Sequence, residues 1–520
     1  MNDVLAHRVI REALKKGVTE FCICAGSRNS PLVIALAECP AIRSYYWFEE
    51  RSAAFFALGR SKATERPVAV ITTSGTAAAE VLPATMEAHY TGIPLLLITA
   101  DRPRRFRGTG APQSAEQVGL LGCYAPFARD VVLEEPCDLS EWSCQHPAHL
   151  NVCFEEPTRK GMPFVVDSSC DDPPTLIDTS VTNVELIKAF LSQVERPLVV
   201  VSTLKQESRE PICAFLQKLN APAYLEGVSG LREDARLEHL RIMSPEQVFQ
   251  SAVQAGYPID GVLRIGGVPT NRLWRDLEEQ NGQKMRVCSI SDWPFSGLSW
   301  GNICHGDLAA FFSDYTVPKS FAIPKQWMEA DRRFYQKALA LFAEEPQAEA
   351  SLIHSLSQRI PQGAAIYLGN SLPIREWDLA AAFQARGYHV TASRGLNGID
   401  GQISTFLGYS SPDRSNWAII GDLTALYDMA GPWILSQLPD VTVNIVVINN
   451  GGGQIFSRMY TSEVFQNRHN LNFGPLAAMW NLAYEKWTAI PDRVDAPHSR
   501  LIEIVPDADA TARFWRKLAS

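Results

Sequence analysis

Short apolar runs alternate with helical patterns from the N-terminus onward. MNDVLAHRVIREALKKG has the apolar spacing of an amphipathic helix, at Val4, Leu5, Val9, Ile10 and Leu14. Apolar strands follow at TEFCICAG, RSYYWF, RPVAVITTSG and IPLLLITAD, and the helical segments SAAFFALGRSKA and TAAAEVLPATMEAHY separate the last three of them. This β-α-β rhythm predicts a mostly parallel sheet with helices on both faces.

The same rhythm restarts twice further along the chain. After the Pro- and Asp-rich stretch SSCDDPPTLIDTS, which we interpret as a linker, a second unit contains strands at RPLVVVS, GVLRIGG and KMRVCSISD. The charged helical stretch QWMEADRRFYQKALALFAEE connects it to a third unit, which contains SLIHSLSQRIPQGAAIYLGNS, NWAIIGD and TVNIVVINNGG. The prediction is an α/β chain of three doubly wound parallel-sheet domains, at residues 1–178, 179–325 and 345–520.

Composition excludes some classes of protein. The chain has 48 basic and 57 acidic residues, a net charge of −9, which argues against non-specific nucleic-acid binding but allows local arginines to bind an anionic substrate. No apolar run approaches the roughly 20 residues that span a bilayer. The 11 cysteines include no CxxC pair and are interpreted as reduced core thiols. We therefore expect a cytoplasmic enzyme without a nucleic-acid partner or a membrane span.

The strongest candidate chemistry lies at two strand ends of the third unit. NWAIIGD ends in Gly421-Asp422, and VTVNIVVINNGGGQIF contains Asn449-Asn450 about 28 residues later. Parallel strands end at the same edge of a sheet, where ligands bind. A carboxylate and an amide oxygen there, with ligand phosphates, suit Mg2+, and a helix N-terminus nearby favours a diphosphate. Two Asx- and glycine-rich turns are the plain alternative for either half alone.

A second candidate is Glu50, between the strand RSYYWF and a helix. The Asp-Asn spacing is similar to the thiamine-diphosphate fingerprint, although Leu423 stands at its usual third glycine. That cofactor needs a carboxylic acid that exchanges a proton with its aminopyrimidine ring, and such acid–base help is typically worth 10²–10⁴-fold, an order-of-magnitude figure. The alternative is that Glu49 and Glu50 only stabilise the start of the helix.

Eight segments carry a resemblance over nearly the whole chain: AGSRNSPL, FEERSAAFFALG, TSGTAAAEVLPA, LLLITADRP, YLGNSLPIREWD, SRGLNGIDG, GDLTALYD and NNGGGQIF. They resemble the thiamine-diphosphate enzymes of menaquinone biosynthesis, the 2-succinyl-5-enolpyruvyl-6-hydroxy-3-cyclohexene-1-carboxylate synthases. Because that family itself carries Gly-Asp-Leu, the resemblance accounts for Leu423. It implies the thiamine-diphosphate-enzyme fold, with a pyrimidine-binding first domain, a central domain and a diphosphate- and metal-binding third domain.

The resemblance also implies roles for individual residues. Glu50 is the cofactor-activating acid; the Mg2+ (or Mn2+) ligands are Asp422, Asn450 and the carbonyl of Gly452; Leu423, Thr424 and Ile455 contact the cofactor. The implied substrate residues are Ser27, Arg28, Arg102, Gln113, Arg272, Ser371, Arg375 and Arg394, and Arg272 falls where relatives carry lysine. Arginine suits such a site because its planar fork grips carboxylates, and both implied substrates are dicarboxylates. Solvated or helix-capping arginines, and an Arg375–Glu376 ion pair, are the alternatives.

The implied reaction is decarboxylation of 2-oxoglutarate and 1,4-addition of the succinyl-semialdehyde fragment to isochorismate. The family assembles its site between the first unit of one subunit and the third unit of another, which implies a homodimer or homotetramer. Three alternatives stay open: another thiamine-diphosphate 2-oxo acid decarboxylase or acetohydroxyacid synthase, a non-catalytic cofactor-binding relative, and a nicotinamide dehydrogenase, although no GxGxxG opens a helix. Departures from the family are Ala25, the basic stretch Arg104–Arg107, which we interpret as a loop rather than an anion site, and the poorly matching SRMYTSEVFQNRHNLNF.

Overall fold

Three six-stranded sheets, each parallel throughout, organise the chain in this computed structural model. It describes residues 1–39, 41–156, 162–166, 182–280, 285–457, 459–460 and 462–520. The predicted α/β class with three parallel-sheet layers is confirmed, whereas the interpreted linker and the boundary at residue 178 lie outside the described residues. The chain forms two compact units: residues 1–177 with 395–412 and 424–441, and residues 178–394 with 413–423 and 442–520.

The first sheet lies in the first unit. Its strands are β1 (Glu20–Cys24), β2 (Arg43–Trp47), β3 (Val68–Thr72), β4 (Leu95–Asp101), β5 (Phe127–Val131) and β6 (Ala148–Cys153), and the helices are α1 (Asn2–Lys15), α2 (Ser30–Ala37), α3 (Glu50–Thr64), α4 (Thr76–Glu80) and α5 (Leu82–Thr91). The strand order is β2-β1-β3-β4-β6-β5. β3 and β4 are buried along their whole length, as parallel strands between helix layers are.

One predicted helix of this unit is wrong in its extent. TAAAEVLPATMEAHY was expected as a single helix, but α4 and α5 meet at Val81. Pro83 causes the break, because it lacks the backbone N–H of a helix interior and fits only the first turn of a new helix.

The second sheet belongs to the second unit. Its strands are β7 (Pro197–Val201), β8 (Ala223–Leu225), β9 (Arg241–Ile242), β10 (Gly261–Ile265), β11 (Arg286–Ser291) and β12 (Asn302–His305), with helices α6 (Val184–Gln193), α7 (Arg209–Leu219), α8 (Pro245–Gln254), α9 (Arg272–Gln280) and α10 (Leu308–Asp314). The order is β12-β11-β10-β7-β8-β9. Separate apolar cores pack on its two faces, around Leu263 on one and Trp274 on the other.

The third sheet also belongs to the second unit. Its strands are β13 (Ala365–Leu368), β14 (His389–Thr391), β15 (Asn416–Gly421), β16 (Val443–Ile448), β17 (Ala483–Trp487) and β18 (Arg500–Ile504). The remaining helices are α11 (Lys325–Glu344), α12 (Glu349–Arg359), α13 (Leu372–Ala380), α14 (Gln402–Tyr409), α15 (Asp422–Tyr427), α16 (Gly474–Met479) and α17 (Ala508–Ala519). Its order, β14-β13-β15-β16-β18-β17, repeats that of the first sheet.

This shared order predicts where ligands bind. In both sheets the first crossover goes to one side and the next to the other, so the order reverses between β1 and β3 and between β13 and β15. Parallel α/β sheets bind ligands beyond the carboxyl ends of the strands at such a reversal. Among the described residues, no helix is long and apolar enough to cross a membrane.

Candidate active site

The carboxyl edge of the third sheet carries Asp422. Gly421 at the end of β15 lies opposite Ile448 at the end of β16, so the residues that follow both strands meet at one edge. The buried Asp422 carboxylate accepts hydrogen bonds from the backbone N–H of Leu423 (2.7 Å) and Gly452 (2.9 Å). Burial raises the pKa of Asp422, and these backbone hydrogen bonds act in the opposite direction.

Asn450 presents an oxygen atom at the same edge. Its side-chain Nδ2 donates to both carboxylate oxygens of Glu349, at 3.0 and 3.1 Å. Its Oδ1 is buried and has no hydrogen-bond partner within the described part of the chain. Glu349 therefore fixes the amide so that its oxygen is available to a cation. The sequence patterns gave no sign of Glu349, which begins α12 about 100 residues earlier.

The glycine turn after β16 lies at the same edge, where the Gly452 N–H reaches Asp422. Gly451 and Gly452 adopt φ values of 78° and 130°, and a side chain on Gly452 would overlap the backbone carbonyl of Gln466. Glycine is therefore required there. The described residues contain no group of three or more His, Cys, Asp or Glu side chains that could hold a metal ion by itself. A cation here would use a carboxylate, an amide oxygen, a main-chain carbonyl and ligand phosphates, a set that fits Mg2+.

The other predicted cofactor residues lie in the segments that follow the two strands. Leu423 and Thr424 belong to α15, where Leu423 is partly exposed and Thr424 is buried. Ile455 is partly buried in a short 3-10 turn at Gln454–Phe456. In the same region His469 Nε2 lies 3.3 Å from the Asp422 carboxylate, a neighbour that sequence reasoning missed.

Glu50 lies in a cleft of the first unit. Glu49 is the N-cap of α3, and its carboxylate accepts from the backbone N–H of Arg51 and Ser52 at 3.1 and 2.9 Å. Burial, and then the charges of Glu49 and Glu80, raise the pKa of Glu50. A cleft of about 520 Å³ encloses it, lined by Glu49, Glu50, Arg51, Thr73, Ser74, Thr76, Ala77, Glu80, Gln113 and Ala430. Glu49 is the N-cap of the helix, whereas Glu50 lines the cleft.

Four predicted substrate residues belong to the first unit. Gln113, at a φ of 55°, shares the cleft with Glu50. The Nε of Arg102 donates to the carbonyl of Pro112 at 2.9 Å, which ties Arg102 to the same loop. Arg28 is buried and donates to the carbonyls of Phe154 and Glu155, both at 3.2 Å. It is therefore neither solvated nor a helix cap, whereas Ser27 beside it is exposed.

Three predicted substrate residues follow strands β13 and β14 of the third sheet. Ser371 is the N-cap of α13, at a φ of 73°, and Arg375 Nη1 donates to its carbonyl at 2.5 Å. Desolvation, followed by the charge of Arg394, lowers the pKa of Arg375. Arg394 is buried and donates to Asn370 Oδ1 at 2.7 Å. Arg375 and Arg394 therefore lie close enough to interact electrostatically, on segments that follow neighbouring strands of the sheet that also carries Asp422.

Arg272 is placed differently from the other arginines. It begins α9, its side chain is 72% exposed, and it pairs with Asp276 at 3.1 Å. No described contact joins it to Arg375 or Arg394. The charge of its neighbour Arg275 also contributes to the lowering of the Arg375 pKa.

The basic stretch Arg104–Arg107 is compensated by acids. Arg104 pairs with Asp130 and Glu135, Arg105 pairs with Glu155, and Arg107 pairs with Asp101 and Asp130, at 2.6–3.2 Å. These pairs favour the loop interpretation over an anion-binding patch.

The fold, the acid in its cleft and the Asp–Asn edge together define a thiamine-diphosphate enzyme. Residues 5–120 match the family described as "Thiamine pyrophosphate enzyme, N-terminal TPP binding domain". A solved structure described as a putative thiamin diphosphate-dependent enzyme isolated from Mycobacterium smegmatis has the same fold, with a TM-score of 0.69, 14% identity and coverage of 96% of this chain and 99% of that one.

Relatives that match this chain over its full length show which family of thiamine-diphosphate enzymes it belongs to. A 2-succinyl-5-enolpyruvyl-6-hydroxy-3-cyclohexene-1-carboxylate synthase of Bdellovibrio bacteriovorus is 41% identical over 524 residues, covering 99% of this chain and 98% of that protein. The protein of the same name from Akkermansia muciniphila is 36% identical, covering 97% and 96%. The chain belongs to the 2-succinyl-5-enolpyruvyl-6-hydroxy-3-cyclohexene-1-carboxylate synthase family, as the sequence resemblance indicated.

Proposed function

We propose that this enzyme decarboxylates 2-oxoglutarate and adds the succinyl-semialdehyde fragment to isochorismate, giving 2-succinyl-5-enolpyruvyl-6-hydroxy-3-cyclohexene-1-carboxylate. The observation that carries the proposal is the paired placement of Arg375 and Arg394 at the sheet edge that holds Asp422, in a chain of this family. Two adjacent cations suit a dicarboxylate donor, because an unpaired charge in a closing site is costly. A donor with a single carboxylate would supply only one anion to these two cations.

Asp422, Asn450 and the carbonyl of Gly452 are proposed to hold Mg2+, or Mn2+ in its place. The orphaned Oδ1 of Asn450 and the Gly452 turn support this assignment. Thiamine diphosphate, when bound, supplies the carbon nucleophile that decarboxylation requires. Leu423, Thr424 and Ile455 contact it in this proposal, and Glu50 holds the proton for its pyrimidine ring. The raised pKa of Glu50 suits that role, because it favours the protonated acid.

The arginines divide between the two substrates. On the donor side Arg375 and Arg394 bind 2-oxoglutarate together with Ser371. On the acceptor side Arg28, Arg102 and Arg272 bind the two carboxylates of isochorismate, with Ser27 and Gln113 beside them. Charge counting supports this division, because the two substrates together bring four carboxylates, of which one leaves as CO2.

The working enzyme is proposed to be a cytoplasmic homodimer or homotetramer of three domains, at 1–178, 179–325 and 345–520. An exposed aromatic surface of the first unit supports assembly: Phe48 and Trp433 are 57% and 40% exposed, and their rings pack 4.9 Å apart. Phe48 and the exposed Met429 adjoin the cleft residues Glu49 and Ala430 in sequence. Exposed apolar surface of this kind marks interaction sites.

A substrate assay tests the proposal. Purified enzyme with Mg2+ and thiamine diphosphate should release CO2 from 2-oxoglutarate and little from pyruvate, with sustained turnover only when isochorismate is present. Mass spectrometry should find isochorismate consumed in equal amount. Efficient turnover of pyruvate without isochorismate consumption would rule out this substrate pair while leaving the cofactor assignment standing.

A further inference from the structure

Glu226 anchors the loop that precedes Arg272. It follows β8, is fully buried, and accepts from Ser202 Oγ at 2.5 Å, from the backbone N–H of Thr270 at 2.5 Å and from Thr270 Oγ at 2.7 Å. Thr270 is itself buried and stands two residues before Arg272. The acceptor-side loop therefore depends on a carboxylate that comes from a different strand of the second sheet.

The residues directly after Glu226 hold α13, the helix of Arg375. The N–H of Gly227 donates to Asp378 Oδ1 at 2.7 Å, and a side chain on Gly227 would meet the ring of Trp377. Buried Arg232 donates to the carbonyls of Asp378 (3.2 Å), Ala381 (2.7 Å) and Ala382 (3.3 Å). These carbonyls end the helix, where a cation is favoured by the helix dipole.

The acids at these two attachments, Glu226 and Asp378, also offset the positive charge of Arg375. Ionised Asp378 and Glu226 counteract the lowering of the Arg375 pKa by desolvation and by Arg394. Burial and the charge of Glu226 raise the pKa of Asp378 to about 7, so Asp378 is partly protonated at neutral pH. Neither acid forms an ion pair with Arg375 among the described residues, and the hydrogen bond from Arg375 Nη1 goes to the carbonyl of Ser371, so its charge is compensated without a direct carboxylate partner. An arginine in this state can still bind a substrate carboxylate.

We propose that the segment Glu226–Arg232 is a clasp that positions both substrate-binding elements: Glu226 fixes the acceptor-side loop through Thr270, and Arg232 fixes the donor-side helix through its last carbonyls. This inference rests on the proposed function, which assigns Arg272 to isochorismate and Arg375 to 2-oxoglutarate. Glu226 and Arg232 are positioning residues that act through those arginines.

Paired variants test the clasp through a split in KM. Thr270→Val keeps the shape of the side chain and removes one hydrogen bond, so the KM for isochorismate should rise roughly 3- to 10-fold while that for 2-oxoglutarate stays within about twofold. Arg232→Met keeps the apolar stem and removes three hydrogen bonds, so the KM for 2-oxoglutarate should rise roughly tenfold and that for isochorismate should stay within about twofold. Thr270→Ser, which retains the hydroxyl, is the matched control and should resemble wild type.

Two further measurements separate positioning from general destabilisation. In an Arg272→Ala background, Thr270→Val should cause no further rise in the KM for isochorismate, because residues that act as one unit are non-additive. Amide hydrogen exchange should increase in peptides covering 266–273 for Thr270→Val and in those covering 374–382 for Arg232→Met. Equal changes in both KM values, or unchanged exchange in these peptides, overturn the clasp. Failure of the proposed function is distinct, since wild type would then not consume isochorismate whereas the exchange results would still stand.

Discussion

At the scale of single residues, two adjacent acids at the start of α3 have different roles. Both carboxylate oxygens of Glu49 accept hydrogen bonds from backbone N–H groups of the first turn, while Glu50 lies in the cleft with a raised pKa. A sequence pattern cannot separate these roles, because acids are favoured throughout the first turn of any helix. The geometry of the cap separates them, and it makes Glu50 the residue to test.

Glu50→Gln should bind thiamine diphosphate as wild type does and fail to activate it. Glutamine keeps the size of the side chain but cannot exchange the proton, so the thiazolium C2 proton should exchange about 100-fold more slowly by NMR. Glu49→Gln is the matched control, since it loses part of a helix cap and should mainly lower stability by about 1 kcal/mol. Exchange at the wild-type rate in Glu50→Gln would return Glu50 to a structural role.

Replacing a proposed donor-side arginine and replacing a proposed acceptor-side arginine should weaken the use of different substrates. Arg394 is buried at the edge of the third sheet, and Arg102 is tied to the Gln113 loop of the first unit. Truncating one partner of a buried charge pair costs about 2–5 kcal/mol, so each defect should be roughly 30-fold or larger. Arg394→Ala should weaken the use of 2-oxoglutarate and Arg102→Ala that of isochorismate, as steady-state kinetics with each substrate varied would measure. A common defect in both would contradict the division.

The sequence did not predict contacts between residues that are far apart along the chain. Asp422 and Asn450 could be paired because each follows an apolar strand, and parallel strands end at one edge. Glu349, which holds Asn450, and Glu226, which holds Thr270, have no such pattern around them. Each of these buried carboxylates is brought to its partner by the tertiary structure, which a local sequence pattern does not describe.

At the scale of secondary-structure elements, α3 and α14 pack unusually closely within the first unit. Gly59 and Gly408 stand at the crossing, and a side chain on either would overlap a backbone carbonyl, of Thr405 or Phe56 respectively. Gly59→Ala should therefore destabilise the protein by about 1–3 kcal/mol despite the higher helix propensity of alanine. Ala63→Gly, at an exposed position of the same helix, should cost only about 1 kcal/mol. Urea denaturation compares the two, and an equal or smaller loss for Gly59→Ala would contradict the close crossing.

A buried acid on α11 should make stability depend on pH. Asp331 accepts from the N–H groups of Met243 and Ser244 at 2.9–3.1 Å, and burial raises its pKa to about 6 from an ordinary value of 3.8. The native state then binds more protons than the unfolded state between those values, so stability falls as pH rises from about 4 through 6. The loss attributable to Asp331 is at most about 3 kcal/mol.

Asp331→Asn removes that titration and should flatten the stability profile over this pH range. Denaturation midpoints of both proteins at pH 4 and pH 7.5 measure the difference, with Asp440→Asn at an exposed position as the control. A difference between wild type and Asp331→Asn that does not change with pH would mean that Asp331 keeps an ordinary pKa.

At the scale of the whole molecule, the positions of strands could be predicted where the strand is a continuous apolar run. β3, β4, β7 and β16, each buried from end to end, correspond to predicted runs. The edge strands β5 and β17 were missed, because FARDV and AYEKW mix exposed and buried positions as edge strands do. The fully buried strands β6 and β18 were missed as well, because AHLNVC and RLIEI contain polar residues and form no continuous apolar run. The short strands β8, β9 and β12 were also not predicted. The strand orders were also beyond the sequence, since nothing in a local pattern states which strand lies beside which.

Assembly is the last prediction, and it concerns two chains. The Glu50 cleft belongs to the first unit and the Asp422 edge to the second, and exposed aromatic surface adjoins the cleft. If the active site is formed by two copies of the chain, Glu50 of one chain acts together with Asp422 of the other.

Glu50→Gln and Asp422→Ala proteins should each be inactive alone. After subunit exchange, a mixed dimer holds one site with both defects and one site with neither, so activity should return to at most about half of wild type per mixed dimer, following the two-fold symmetry of such interfaces. Native mass spectrometry establishes that mixed dimers form, and the assay with 2-oxoglutarate and isochorismate measures the recovery. Mixtures of either variant with itself are the controls. Mixed dimers that stay inactive would mean that each chain supplies both residues to its own site.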